Sequence, residues 1–221
     1  MADELEEIKK RYEARNKSDD RYSGFYMEKI SNERDSVYKE LLSKQFSNFG
    51  NLKFLEIGAG NGSNLNFFKS IGFLAENISA NELLDERISA LKSAHPDISI
   101  FPGDASKMEL EKTFDVIFQS TVFTSVLDPS LRIEIANNMW RMLKPGGLIL
   151  WYDFIYNNPS NRDVKKVSVS ELQKLFPFAK SIEIRKVTLA PPIARRAGFL
   201  YSLFNLFPFL RTHIAASIQK E

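Results

Sequence analysis

The chain has no cysteine and only two histidines, His95 and His213, in 221 residues. The missing thiols exclude a disulfide scaffold, a thiolate nucleophile and a cysteine zinc site. Two histidines leave little for any other zinc centre. No apolar run approaches the roughly 20 residues of a membrane span. The start, MADELEEIKK, is too acidic for a signal peptide. The expectation is a cytoplasmic protein. Internal repeats and low-complexity linkers are also missing. A hydrophobic fraction of 43 % beside 26 % charged residues is that of an ordinary folded domain, and this length supports one sizeable core. The net charge of +2 hides a split. Residues 1–161 hold 19 Lys/Arg against 24 Asp/Glu, whereas residues 162–221 hold 11 against 4. Such a basic end either faces an anionic partner or is a solvated face.

Along the chain, residues 2–15 read as a charged helix, Ser18–Gly24 as a turn, and Tyr26–Phe46 as a second helix. From Leu52 short apolar runs alternate with helical stretches. Strands are expected at 52–57, 77–81, 98–101, 114–119, 148–152, 181–189 and 213–220. Helices are expected at 62–71, from the second strand's end to Leu91, at 129–143 and at 168–176. This is the rhythm of an α/β fold with a parallel sheet. Residues 190–211, rich in Phe and Leu, form an insertion between the sixth and seventh strands. The organisation expected is one domain over 1–221, with a helical extension at 1–50, a core at 51–189 and 212–221, and a lid-like insertion at 190–211.

The sharpest local signal is Glu56-Ile57-Gly58-Ala59-Gly60-Asn61-Gly62, a glycine-rich turn leading from a strand into a helix. Such a turn lets backbone approach a ligand closely. Glu82 ends the second strand, where an acid accepts hydrogen bonds from a ribose diol. A nicotinamide-binding domain would need glycine at 63, which is Ser. The turn is followed in order by NELLDERI (81–88), PGDA (102–105), FDVIFQS (114–120) and LKPGGLIL (143–150). Over about residues 50–153 this series resembles the class I S-adenosyl-L-methionine-dependent methyltransferases. The resemblance implies a Rossmann-like seven-stranded sheet in the order 3-2-1-4-5-7-6, with strand 7 antiparallel and helices on both faces. It implies S-adenosyl-L-methionine as cofactor and S-adenosyl-L-homocysteine as product. By position, Gly58, Gly60 and Gly62 would line the methionine half, with Glu56 orienting the loop or the ligand's amino group. Glu82 would take the ribose hydroxyls and Leu83 would lie beside the adenine. Asp104 would accept from the adenine amino group, or simply cap a turn, with Ala105 offering a backbone contact. Gln119 and Ser120 would lie near the methionine carboxylate or the methyl group.

A methyl on a sulfonium is already activated, so the protein mainly aligns donor and acceptor. A base is needed when the acceptor must lose a proton of high pKa, as a hydroxyl would. Topology brings two candidates to the ligand edge: Asp153, after the fifth strand, and His213, at the start of the last. Each has a structural alternative, as a loop-stabilising carboxylate and a packing histidine. His95 precedes the third strand, at the opposite edge, and reads as structural or solvent-facing. Past strand five, Tyr152, Asn157, Asn158 and Arg162 would hydrogen-bond a hydroxyl-rich acceptor, unless this is a plain loop. Arg195, Arg196 and Arg211 bracket the apolar run and would meet phosphates. That run either buries itself against the domain or touches a membrane surface or the lipid part of an acceptor. Arg11, Tyr12 and Tyr22 are expected on helix surface, with a lid over the cofactor as the alternative.

The stretches 151–164, 190–196 and 210–213 resemble bacterial small-molecule methyltransferases associated with surface polysaccharide or glycolipid assembly. This implies a small-molecule acceptor, a sugar or lipid-linked compound, methylated on a hydroxyl. A quinone- or polyketide-type acceptor and a non-catalytic cofactor-binding partner subunit are the alternatives. QSTV after strand four is not the Asn/Asp-Pro-Pro-aromatic run of adenine methylation. No carboxylate cluster suggests Mg²⁺, and no nucleic-acid-binding module is recognisable. The oligomeric state is not legible.

Overall fold

Seven apolar runs become strands: β1 Phe54–Ile57, β2 Ile78–Glu82, β3 Ser99–Pro102, β4 Phe114–Ser120, β5 Leu143–Phe154, β6 Ser181–Leu189 and β7 Arg211–Gln219. In the computed structural model, which describes residues 2–14, 25–158 and 161–221, they form one sheet in the order β3-β2-β1-β4-β5-β7-β6. β1 to β5 pair in parallel, while β7 runs antiparallel to both β5 and β6. The sheet is therefore of the kind the resemblance implies. Every residue of β1 is buried, because helices cover both faces and leave no polar side for the strand.

One face carries α1 (Ala2–Glu13), α5 (Pro129–Met142) and α6 (Val169–Leu175), packed through Ile8, Leu131, Ile135, Leu172 and Trp151. The other carries α2 (Phe25–Ser43), α3 (Leu65–Ser70) and α4 (Asp85–Ala94), packed through Tyr38, Leu41, Leu42, Phe68 and Leu91. Local chemistry sets the starts of two of these helices. Asp128 accepts from Ser130 N at 2.7 Å ahead of Pro129, and Ser168 Oγ accepts from Glu171 N at 3.1 Å.

β5 starts five residues before the expected strand, since LKPGG bulges within the ladder instead of turning outside it. Gly147 makes this possible: a Cβ there would lie 2.8 Å from the Leu143 side chain. The expected turn at Ser18–Gly24 lies outside the described residues.

Between β6 and β7, α7 (Pro191–Ala197) and α8 (Tyr201–Phe204) are linked by 3₁₀ turns. Ala194, Ala197 and Tyr201 pack on Ile30 and Leu189. The burial reading of this run holds only for that inner side, because Phe199 is 88 % exposed and Leu206 and Phe209 are 71 % exposed. No helix among the described residues is long and apolar enough to cross a membrane. The strand order reverses between β1 and β4, which places a crevice outside their carboxyl ends.

Candidate active site

A cavity of about 160 Å³ occupies that crevice, lined by Gly58, Glu82, Leu83, Asp104, Ala105 and Ser120 from the ends of four strands. Gly58 is at φ +63°, and a Cβ on it would fall 2.6 Å from Val122 Cγ2, so only glycine leaves the crevice open. Glu82 ties the glycine loop to the next turn. Its Oε2 accepts from Gly60 N at 2.7 Å, and its Oε1 accepts from Leu83 N at 2.8 Å and Leu84 N at 3.0 Å. A carboxylate accepts about four hydrogen bonds, which leaves room for one further donor. Asp104 caps the following turn through Ser106 N and Oγ, both at 2.8 Å. Asn81, which sequence reasoning missed, also lines the cavity; it donates to Phe101 O and Gly103 O and fixes the β2–β3 edge.

Gly60 and Gly62 are not part of the lining. Gly62 faces α4: a Cβ there would come within 2.5–2.8 Å of His95 and Leu91. His95 is buried with Nε2 3.0 Å from Gly62 O, which makes it a structural partner of this loop.

Glu56 is buried at the end of β1. Its Oε1 accepts from Asn64 Nδ2 at 2.7 Å, while Oε2 has no partner. Burial pushes its pKa up to about 8, against the Asn64 hydrogen bond and the Arg34 charge. An orphaned buried carboxyl beside a glycine loop fits a cationic ligand group, such as the ammonium of a methionine moiety.

At the β4–β5 edge, Asp153 is fully buried. It accepts from Thr124 Oγ1 at 2.6 Å and Gln119 Nε2 at 3.2 Å, and Gln119 Oε1 accepts in turn from Val122 N. Asp153 thus supports from behind the 119–125 loop that lines the cavity. Burial raises its pKa to about 7 against those hydrogen bonds. Thr121 and Thr188 are β-branched residues at φ +58° and +63°, a conformation that stores strain. Both hold Tyr152, one through Thr121 N to Tyr152 O at 2.8 Å and the other through the hydroxyl pair with Thr188 at 2.7 Å. Tyr152 stacks on His213 at 5.0 Å, and burial lowers the His213 pKa to about 4. Arg34 of α2 lies 5.6 Å from the Tyr38 ring and 5.7 Å from the Tyr152 ring. Sequence reasoning missed Arg34 and Tyr38. The available signal was their place in the 30-34-38 stripe, where polar groups occupy the buried face of a helix.

α1 closes the cavity with Leu5, Ile8 and Tyr12. Tyr12 OH donates to Ser125 Oγ at 3.0 Å, Arg11 to Ser125 O at 3.3 Å and to Glu4 at 2.9 Å, and Leu127 N to Glu4 at 2.8 Å. Arg87 stacks on the Tyr12 ring at 4.3 Å. This corrects the helix-surface expectation for Arg11 and Tyr12; Tyr22 lies outside the described residues. Ligand pockets run from about 300 Å³ upward, and α1 forms one wall of this smaller cavity.

Glu56, Gln119, Tyr152, Asp153 and His213 are not among the residues that line the cavity, and the remaining candidates lie away from it as well. Asn157, Asn158 and Arg162 are exposed on the loop after β5, and Asn157 closes that loop by accepting from Lys166 N. Arg195 and Arg196 are exposed on α7. Arg211 donates to Asn205 O and Lys186 O, a structural staple in place of the expected phosphate contact. Among the described residues no cluster of His, Asp and Glu has the makeup of a metal site.

Residues 55–151 match the family model described as a methyltransferase domain. No curated protein matches the sequence. Similar solved structures include a methyltransferase dependent on S-adenosylmethionine from Archaeoglobus fulgidus, with 16 % identity and a TM-score of 0.60, covering 89 % of this chain and 100 % of that one. A putative methyltransferase from Bacillus halodurans has 14 % identity and a TM-score of 0.58, covering 84 % and 99 %. A complex of the Haloferax volcanii Trm112 methyltransferase activator with a putative methyltransferase gives 15 % identity and a TM-score of 0.60, covering 88 % and 93 %. Residues 55–151, a little under half of the chain, are therefore similar to the methyltransferase-domain family, and the fold is that of class I methyltransferases.

Proposed function

We propose that this protein is an S-adenosyl-L-methionine-dependent methyltransferase acting on a hydroxyl of a small molecule, with a saccharide or glycolipid in surface-polysaccharide assembly as the favoured acceptor. The observation that carries it is the convergence of Gly58, Glu82, Leu83, Asp104, Ala105 and Ser120 on one cavity. In this reading Glu82 holds the ribose, Leu83 packs on the adenine, and Asp104 and Ala105 receive its edge. Gly58, Gly60 and Gly62 shape the loop at the methionine end, where Glu56 meets the ammonium and Gln119 and Ser120 approach the carboxylate. When bound, the cofactor supplies a methyl group on a positively charged sulfur.

Asp153 supports the hydroxyl reading. Burial holds it near neutrality, where a general base works best, and Thr124 and Gln119 couple it to the cavity rim. His213, uncharged above about pH 4, is the second candidate. Tyr152, Asn157, Asn158 and Arg162 are the proposed hydroxyl contacts, and Arg195 and Arg196 the proposed contacts to acceptor phosphate. The exposed Phe and Leu side chains of residues 199–209 favour a lipid-linked sugar over a free one. Calorimetry with S-adenosyl-L-methionine tests the cofactor half: Glu82→Gln should weaken binding at least tenfold, and unchanged affinity would overturn the assignment. Tight binding without transfer to any acceptor would favour a non-catalytic partner subunit.

A further inference from the structure

Among the described residues, ten large apolar side chains are exposed, and six of them fall within eleven positions: Phe199, Leu200, Leu203, Leu206, Phe207 and Phe209. Single exposed apolar residues are ordinary on a soluble surface, whereas a contiguous group marks an interaction site. The segment cannot simply turn inward. Its other side is already engaged, with Tyr201 OH and Asn205 Nδ2 donating to Glu33 at 3.1 and 2.8 Å, and Arg211 stapling its end to β6. Ala194, Ala197, Tyr201 and Phe204 already pack on the domain, and a second set of large apolar groups faces water where a surface helix normally carries polar ones. Arg195 and Arg196 are exposed immediately before this run, with no ion pair among the described residues. Residues 162–221 as a whole hold 11 basic against 4 acidic residues. β7 pairs His213 with Phe154 at the end of β5, so the segment sits on the same sheet edge as the cavity.

We propose that residues 195–209 are a docking surface for an anionic lipid bilayer, with Phe199, Leu203, Leu206 and Phe209 in the interfacial layer and Arg195 and Arg196 among the headgroup phosphates. Adjacent apolar and basic groups are what an anionic interface rewards, and each basic residue near such a surface strengthens binding about fivefold. Arg195 and Arg196 would also meet the phosphate of a lipid-linked acceptor, so vesicles that carry no acceptor report the bilayer contact alone. The test is cosedimentation of the full chain with vesicles of phosphatidylcholine alone or mixed with phosphatidylglycerol. Binding is expected to the anionic vesicles at low salt, with loss at high salt. Phe199→Ser/Leu203→Ser/Phe209→Ser should abolish it while melting and S-adenosyl-L-methionine binding stay intact. Arg195→Gln/Arg196→Gln should weaken it about 30-fold. A wild-type protein that stays in the supernatant at low salt overturns the proposal. So does a triple serine variant that binds as the wild type does. A dimer that the triple variant dissolves, with no vesicle binding by the wild type, would assign the surface to self-association instead.

Discussion

Replacing Glu56 by Gln isolates an unusual ionisation buried beside the glycine loop. The folded protein holds this carboxyl near 8 against an ordinary 4.5, because it is buried with one oxygen unpartnered. Between those values the folded state keeps a proton that the unfolded state has lost, so stability falls as pH rises from 4.5 to 8. At 1.36 kcal/mol per unit the full effect is about 5 kcal/mol. Gln keeps an acceptor for Asn64 and cannot ionise. Denaturant melts at pH 5 and pH 8.5 should show Glu56→Gln gaining several kcal/mol on the wild type over that interval. Cofactor binding reads the same group from the other side. At pH 7 about nine in ten wild-type molecules carry the proton, and a ligand ammonium drives it off. Calorimetry in two buffers of different ionisation enthalpy should then report release of nearly one proton for the wild type and none for the variant. A stability difference independent of pH, together with no proton release, would refute this account of Glu56.

Three other substitutions separate the roles of the surrounding residues. Gly62→Ala drives a Cβ into His95 and Leu91 at positive φ and should cost about 3 kcal/mol in thermal melts, with His95→Ala restoring part of the loss; a melt unchanged from wild type would mean the loop faces elsewhere. Tyr12→Ala removes the Ser125 hydrogen bond and the Arg87 stacking that hold α1 closed. It should speed S-adenosyl-L-homocysteine release about tenfold in stopped-flow fluorescence, whereas an unchanged rate would show that α1 does not gate the cavity. If Asp153 takes the proton, turnover rises with pH through about 7; Asp153→Asn should flatten that rise and lower turnover at least 100-fold, and a wild-type-like profile would reduce Asp153 to loop support.

The sheet was legible because each strand is a short apolar run between clear helix starts, and because motifs 55–62, 81–88, 102–105, 114–120 and 143–150 fall in a fixed order. Glu82, Asp104 and Ser120 were placed by the resemblance, and they do line the crevice because they lie at or just past the ends of parallel strands. The role of Gly62 was not legible, since a glycine needed to clear His95 looks in sequence like one needed to clear a ligand. Arg34 and Tyr38 were hidden because helical periodicity marks them as one stripe without saying that the stripe covers Tyr152. The roles of Arg11, Tyr12 and Arg211 depend on contacts 114, 113 and 25 residues away, which no local pattern encodes. The exposed Phe and Leu residues of 199–209 were visible as composition, but only the packing of Ala194, Ala197 and Tyr201 shows which side faces out.

The central claim is methyl transfer from S-adenosyl-L-methionine to a hydroxyl at this cleft. The direct measurement is incubation with methyl-labelled cofactor and a panel of free sugars, lipid-linked sugars, phenols and amines, with NMR identification of the labelled product. The account predicts label in an O-methyl group on a saccharide or glycolipid, lost in Glu82→Gln. Label on nitrogen or carbon, or saturable cofactor binding with no labelled product, would contradict it.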